Sequence, residues 1–184
     1  GISDKAGKSL VFEIFGAQNL SDQWEVQYSY IDHDQDSFYG DMAFQAKERI
    51  GFVQGIWRKE SGRHQWLGGL STRYSWYDDN TPATEIATVN NPNRYWLPGV
   101  FIEDEIALKV RHKLLLGMRL DHHPDHGIIA TPRAGYKINF DEQTLLRLNA
   151  GKGFRVVNIF TEDHAALTGV RDLVIEEDLS PEQS

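Results

Sequence analysis

Alternation with a period of two runs along most of this 184-residue chain, and helical periodicity is nearly absent. Successive side chains of a strand point to opposite faces, so the pattern restricts the chain to β-sheet. Residues 113–121 give the clearest case. Leu114, Leu116, Met118 and Leu120 share one face, while Lys113, Leu115, Gly117, Arg119 and Asp121 share the other. The next run sets Ile128, Ala130, Pro132, Ala134, Tyr136 and Ile138 against Thr131, Arg133, Gly135 and Lys137. Leu146, Leu148, Ala150 and Phe154 then oppose Arg147, Asn149, Gly151, Gly153 and Arg155. Upstream, Val100, Ile102, Ile106 and Leu108 oppose Glu103, Glu105 and Ala107, and Asp104 interrupts the apolar side. Trp66, Leu70, Tyr74 and Trp76 form another apolar face, as do Trp24, Val26, Tyr28 and Tyr30. Runs 37–46 and 49–59 alternate less cleanly.

Each apolar face needs a cover. A second apolar sheet would make a soluble sandwich, whereas lipid would make a membrane barrel. Short polar turns are expected at 59–64, 109–113 and 139–143, and longer connections at 78–98, 122–127 and 156–184. Short connections at one end and long ones at the other, joined by strands of about 9–11 residues, match a barrel that crosses a bilayer. Tryptophan and tyrosine toward the strand ends match the aromatic girdles of such a barrel. No run of about 18 apolar residues offers a membrane helix, a criterion blind to strands.

A formal net charge of −8 disfavours nucleic acid as a partner. The chain has no cysteine, which removes disulfides and thiol chemistry, and an aromatic share of 11% argues against disorder.

Several motifs then follow in order: Gly117-Met118-Arg119-Leu120-Asp121, Thr131-Pro132-Arg133-Ala134-Gly135-Tyr136, and Gly151-Lys152-Gly153-Phe154-Arg155. Before them stand 99–105, from Gly99 to Glu105, and 77–84, Tyr77-Asp78-Asp79-Asn80-Thr81-Pro82-Ala83-Thr84. Order and spacing resemble the barrel domain of TonB-dependent outer-membrane receptors, best over 64–184. Thr131 and Val157 stand where serine and proline are usual in that pattern. The resemblance implies an all-β fold, an antiparallel up-and-down meander of about eight or nine strands. Residues 1–184 would be one stretch of a larger transmembrane β-barrel of about 22 strands. No second domain, plug domain or C-terminal strand is expected within the sequence.

The same resemblance implies a place in the outer membrane of a Gram-negative bacterium and uptake of a scarce nutrient such as an iron-siderophore or cobalamin. The implied partners are the plug domain of the same full-length chain, TonB, outer-membrane lipid and a small ligand such as a metal chelate. Nucleic acid is not among them, and no cofactor is expected. The competing reading is a soluble or surface β-sandwich that binds carbohydrate through Trp24, Trp66 and Trp76.

Arg73, Arg119, Arg133, Lys137, Arg147 and Arg155 form the candidate site, a row of charge facing a lumen. They are expected to pair with Glu103, Glu105 and Asp121, or to meet the plug or an anionic ligand. The loop 121–126 carries His122, His123 and His126, residue types that ligate zinc, copper or nickel, though a polar loop of no fixed role is the expectation there. Catalysis is not expected. Only Glu103 and Glu105 of the acidic trio share a face, and neither a G-x-S-x-G elbow nor a phosphate-binding loop occurs.

Overall fold

A computed structural model describes residues 7–39, 42–81, 84–86, 89–155 and 182–183. Eight strands form one antiparallel sheet: β1 (Lys8–Asn19), β2 (Trp24–Tyr39), β3 (Met42–Ser61), β4 (His64–Asp79), β7 (Asn93–Lys109), β8 (His112–His123), β9 (Gly127–Asn139) and β10 (Leu145–Gly151). They pair in sequence order, so the meander is up-and-down. A two-residue hairpin, β5 (Glu85–Ile86) and β6 (Val89–Asn90), sits in the connection from β4 to β7. A second short pair joins β11 (Phe154–Arg155) to β12 (Glu182–Gln183). Apart from 182–183, the longer connection expected at 156–184 lies outside the described residues.

One end of the sheet carries tight links, including Gly62–Arg63 and Val110–Arg111. At the first of these, Gly62 takes a φ of +61°, a left-handed conformation open to glycine. The other end carries the longer connection 80–92 and the turn 124–126. Most strands of the sheet exceed the expected length, β3 with 20 residues and β7 with 17, whereas β10 has seven. Residues 93–98, read as connection, already pair with β4, and Asp32 and Asp34 extend the ladder through Arg49 at 3.3 Å and Lys47 at 3.6 Å. Charged cross-strand pairs carry β2 and β3 well past the apolar layer.

Register fixes two faces. Val26, Gly55, Leu70, Val100, Leu120 and Ala130 lie side by side on one, and Gln27, Gln54, Ser71, Gly99, Asp121 and Ile129 on the other. Burial is inverted relative to a soluble protein. Leu70 is 69% exposed, and Val100, Ile102, Leu116, Met118 and Leu120 are also exposed. Asp121 is only 2% exposed, and Ser71, Ser75, Asp79 and His123 are buried on the opposite face. Among the described residues, the buried apolar side chains are Phe44, Ala46, Ile56 and Ile129 alone. No second sheet covers the apolar face there, because the two other sheets are two-residue pairs. The soluble sandwich is therefore not supported; the sheet turns its apolar side outward, as a barrel wall in lipid does.

Two aromatic rows border the apolar layer on that outer face. Trp24, Trp57 and Trp66 lie toward the tight links, and Tyr30, Tyr74, Trp76 and Trp96 toward the longer ones. Tyr74 and Trp96 touch across strands at 4.8 Å, and the Arg49 guanidinium lies 4.9 Å from the Trp76 ring. Ten residues separate Trp66 from Trp76. At about 3.3 Å per residue and a tilt of about 40°, they span roughly 25 Å, the height of an outer-membrane apolar band.

Candidate functional site

The inner face collects the charge. Arg119 on β8 reaches two residues along its own strand to Asp121, with Nε donating to Oδ2 at 2.8 Å and Nη2 to Oδ1 at 2.6 Å. Nη2 also donates to Ser71 Oγ on β4 at 2.8 Å, so one guanidinium ties β8 to the next strand but one. Arg133 pairs with Glu103, and Lys113 with Glu105. Two of the expected acidic partners meet a cation of the candidate row, Glu103 through Arg133 and Asp121 through Arg119 on its own strand, whereas Glu105 pairs with Lys113, outside that row. Lys113, which the alternation over 113–121 already sets on the face of Arg119, is a further inner-face cation.

Glycines make room for these pairs. A Cβ on Gly99 would fall on Asp121 Oδ1 and within 2.9 Å of Arg119 Nη2. A Cβ on Gly117 would come within 2.9 Å of both Arg133 Cγ and Glu103 Cγ. The Gly-x-Arg-x-Asp motif therefore has a local physical reason: the glycine clears the bed of one ion pair while Arg119 and Asp121 supply another.

Other cations of the candidate row are unpaired among the described residues. Arg73 is half-buried between its register partners Phe52 and Leu97, and its Nε is buried without a hydrogen-bond partner. Lys137 stands between Lys113 and Arg147 in one cross-strand row, and neither Lys137 nor Arg147 has an ion-pair partner there. Like charges directly opposite one another repel, so this row attracts anions. The side chain of Arg155 lies outside the described residues. A depression of about 380 Å³ on this face is lined by Gln54, Ile56, Leu67, Phe101, Arg119 and Arg133, among others.

The histidine loop does not gather its three rings. His122 is exposed on the outer face, whereas His123 is buried on the inner face. His126 stacks on His123 at 4.6 Å, and Tyr95 meets His123 at 4.9 Å from the other strand. The Asp125 backbone N–H donates to His123 Nδ1 at 3.2 Å, so the neutral ring carries its proton on Nε2. That nitrogen then offers no lone pair to a metal. Among the described residues no group of three or more histidines and carboxylates is placed to hold an ion.

Beyond the upper aromatic row, the loop that follows β4 is built on Asp79. Its Oδ1 accepts from the Thr81 N–H at 2.9 Å and from the hydroxyls of Thr81 and Thr84 at 2.7 and 3.1 Å. The Tyr77 hydroxyl donates to Asp79 Oδ2 at 2.8 Å. Burial and that carboxylate raise the Tyr77 pKa far above the ordinary phenol value of 10.0. The spacing of Asp79, Thr81 and Thr84 is what closes this cradle.

Comparison with known proteins bears on the whole wall. A family model described as TonB dependent receptor-like, beta-barrel, matches residues 6–184. The iron-regulated outer membrane virulence protein of Vibrio cholerae serotype O1 is 29% identical over 125 residues, which is 67% of this chain and 19% of that protein. A mutant of the ferric enterobactin receptor PfeA from Pseudomonas aeruginosa superposes with a TM-score of 0.64 at 13% identity, over 85% of this chain and 26% of the receptor. The siderophore receptor PirA from Acinetobacter baumannii gives 0.58 at 13% identity, over 82% and 25%. Those identities carry the fold alone. The chain spans about a fifth of the curated relative and about a quarter of the solved barrels. Over nearly its whole length, with its apolar face outward and its charged face inward, the chain belongs to the TonB-dependent receptor β-barrel family of the outer membrane.

Proposed function

We propose that this chain is part of the wall of a receptor that takes up an iron chelate across the outer membrane. Residues 1–184 are read as one stretch of barrel, with no second domain. The observation that carries this reading is the inverted sheet, whose charged inner face holds three unpaired cations, Arg73, Lys137 and Arg147, among the described residues. Anionic groups fit there: carboxylates of a plug domain in the lumen, or an anionic metal chelate on its way through. Arg119 and Arg133, already paired, hold the wall in shape, and Arg155 belongs to the same run of cations. Iron chelates are favoured over cobalamin because the similar proteins are named for iron regulation, ferric enterobactin and siderophores. The work is binding and passage, energised through TonB, with no bond chemistry assigned to any residue.

The test is uptake by cells that carry the intact receptor gene as their sole route for a given chelate. Radio-iron accumulation from ferric chelates is expected to stop on deletion and to fall with Arg73→Gln and with the double variant Lys137→Gln/Arg147→Gln. Cobalamin uptake is expected to be unaffected. Deletion without effect on any ferric chelate would overturn the iron reading.

A further inference from the structure

Gly51 and Gly55 stand on the outer face of β3, and nothing within the sheet calls for glycine there. A Cβ at either position would meet no atom within 4 Å, whereas at Gly69, Gly99 and Gly117 on the inner face it would clash. Both ladders of β3 keep an unbroken register, so neither glycine marks a bulge. Neither takes a positive φ, which among the described residues belongs to Gly62 and Gly127. Glycine weakens a strand interior, and one that marks neither a bulge nor a bend marks the close approach of another group.

The neighbouring side chains lean away from these two positions. Tyr28 folds over β1, where a Cβ on its register partner Gly16 would lie 2.5 Å from the Tyr28 hydroxyl. Tyr74 turns toward β7 and meets Trp96 at 4.8 Å. Gly51, Val53 and Gly55 thus floor an outward groove, with Tyr28 on one side and Leu70 and Tyr74 on the other. Leu70 is 69% exposed, Tyr28 49% and Val53 42%, so the groove is open on the lipid side. At about 3.3 Å per residue its floor runs roughly 13 Å. It descends from the Tyr30–Tyr74–Trp96 row to the level of Leu70, near the middle of the apolar layer, which is the depth of one leaflet.

Cations stand at its head. One step beyond the aromatic row, Arg49, Trp76 and Arg94 lie in register across β3, β4 and β7. The Arg49 guanidinium is 4.9 Å from the Trp76 ring, and its Nε faces Asp32 at 3.3 Å on a side chain that is 46% exposed. Arg94 is exposed and has no ion-pair partner among the described residues. Farther out, Lys47 pairs with Asp34 and stands opposite Asp78. Asp32 balances Arg49, and two carboxylates share Lys47, so Arg94 supplies the uncompensated positive charge at headgroup height.

We infer that the Gly51–Gly55 groove holds one acyl chain of a lipid in the leaflet on the side of the longer connections, and that Arg49 and Arg94 take that lipid's phosphate beside Trp76. Guanidinium N–H groups match phosphate oxygens in a fork and stay charged at any relevant pH. The bare backbone of the two glycines lets the chain lie close, so dispersion contacts accumulate along it. The site rests on membership of the outer-membrane barrel family and not on the ligand carried.

The test uses the intact receptor, purified in detergent, equilibrated with equal phosphatidylglycerol and a diacylglycerol of the same chains, and analysed by native mass spectrometry. Wild type is expected to retain one more lipid per barrel than the double variant Gly51→Leu/Gly55→Leu, which fills the floor. That variant keeps the strand, since a Cβ at either position meets nothing, and its heat-resistant band checks the fold. Wild type is also expected to favour phosphatidylglycerol over the diacylglycerol by about tenfold, the value of one charge-assisted hydrogen bond. Arg49→Gln/Arg94→Gln is expected to bring the two lipids to the same level. Lipid retention unchanged by filling the floor, equal retention of the two lipids by wild type, or loss of a second receptor copy in place of a lipid would overturn the site. Uptake of the iron chelate, measured on the same variants, is expected to persist and reports separately on the proposed function.

Discussion

The Arg119 guanidinium holds Asp121 through two hydrogen bonds of 2.8 and 2.6 Å on the inner face of β8. Asp121 is almost fully buried, and the backbone of Gly99 forms the floor beneath the pair.

Asp121→Ala therefore leaves a half-buried guanidinium without its carboxylate. A loss of about 1–3 kcal/mol is expected, below the usual cost of breaking a buried pair because a third of the Arg119 side chain is exposed. Gly99→Ala displaces the same pair and should cost a similar amount. The two losses should not add, since the second substitution removes an interaction the first has already broken. Urea titration of the heat-resistant band of the intact barrel measures all three variants. Full additivity would mean that Gly99 serves something other than the pair.

The two faces should respond oppositely to charge. Leu70→Arg places a cation near the middle of the outer apolar layer and should cost about 2–4 kcal/mol. Gln65→Arg, on the inner face and exposed, should change stability by less than about 0.5 kcal/mol. The same titration decides between them.

One carboxylate, that of Asp79, gathers three donors at the start of the loop after β4. Asp79→Ala removes the acceptor for the Thr81 amide and for the hydroxyls of Thr81 and Tyr77, while the Thr84 hydroxyl keeps its 2.7 Å bond to the Asp79 backbone carbonyl. Protease cutting within 80–92 is expected to rise sharply while the band of the intact barrel is retained. Unchanged cutting would mean that the loop is held by other contacts.

Asp141 caps the link from β9 to β10. It accepts from the backbone N–H groups of Gln143 and Thr144 at 2.8 and 2.6 Å, and these bonds hold its pKa below the ordinary 3.8. A depressed carboxylate pKa stabilises the turn above 3.8, and that contribution fades as pH falls through the lower, folded-state value. Amide exchange at Gln143 and Thr144, corrected for its intrinsic pH dependence, should stay protected down to the ordinary value of 3.8 and lose protection only as pH falls further, through the lowered folded-state value. Asp141→Ala should remove the protection at every pH.

Much of the wall could be read from the sequence. Over 64–76, 100–108 and 113–138, one face is apolar and the other polar, so the period-two pattern shows strand and orientation together. Elsewhere both faces are apolar and the pattern blurs. On β1, Leu10, Phe12 and Ile14 back onto Val11, Phe15 and Ala17, and the strand was not singled out. On β3, inner residues Ile50, Phe52 and Ile56 face away from outer Gly51, Val53 and Trp57, which hid Trp57 from the girdle. The charged inner row was legible because arginine stands out in alternation. No sequence pattern could show that Asp104 meets His64, because 40 residues and a cross-strand diagonal separate them.

The most direct measurement is nitroxide accessibility along β8 in the intact receptor reconstituted in a bilayer. The chain has no cysteine of its own, so single labels from 114 to 120 are unambiguous within it. Labels at Leu114, Leu116, Met118 and Leu120 should collide strongly with oxygen dissolved in the lipid. Labels at Leu115, Gly117 and Arg119 should not. High oxygen contact at the second set, or no alternation at all, would contradict a wall whose apolar face meets lipid.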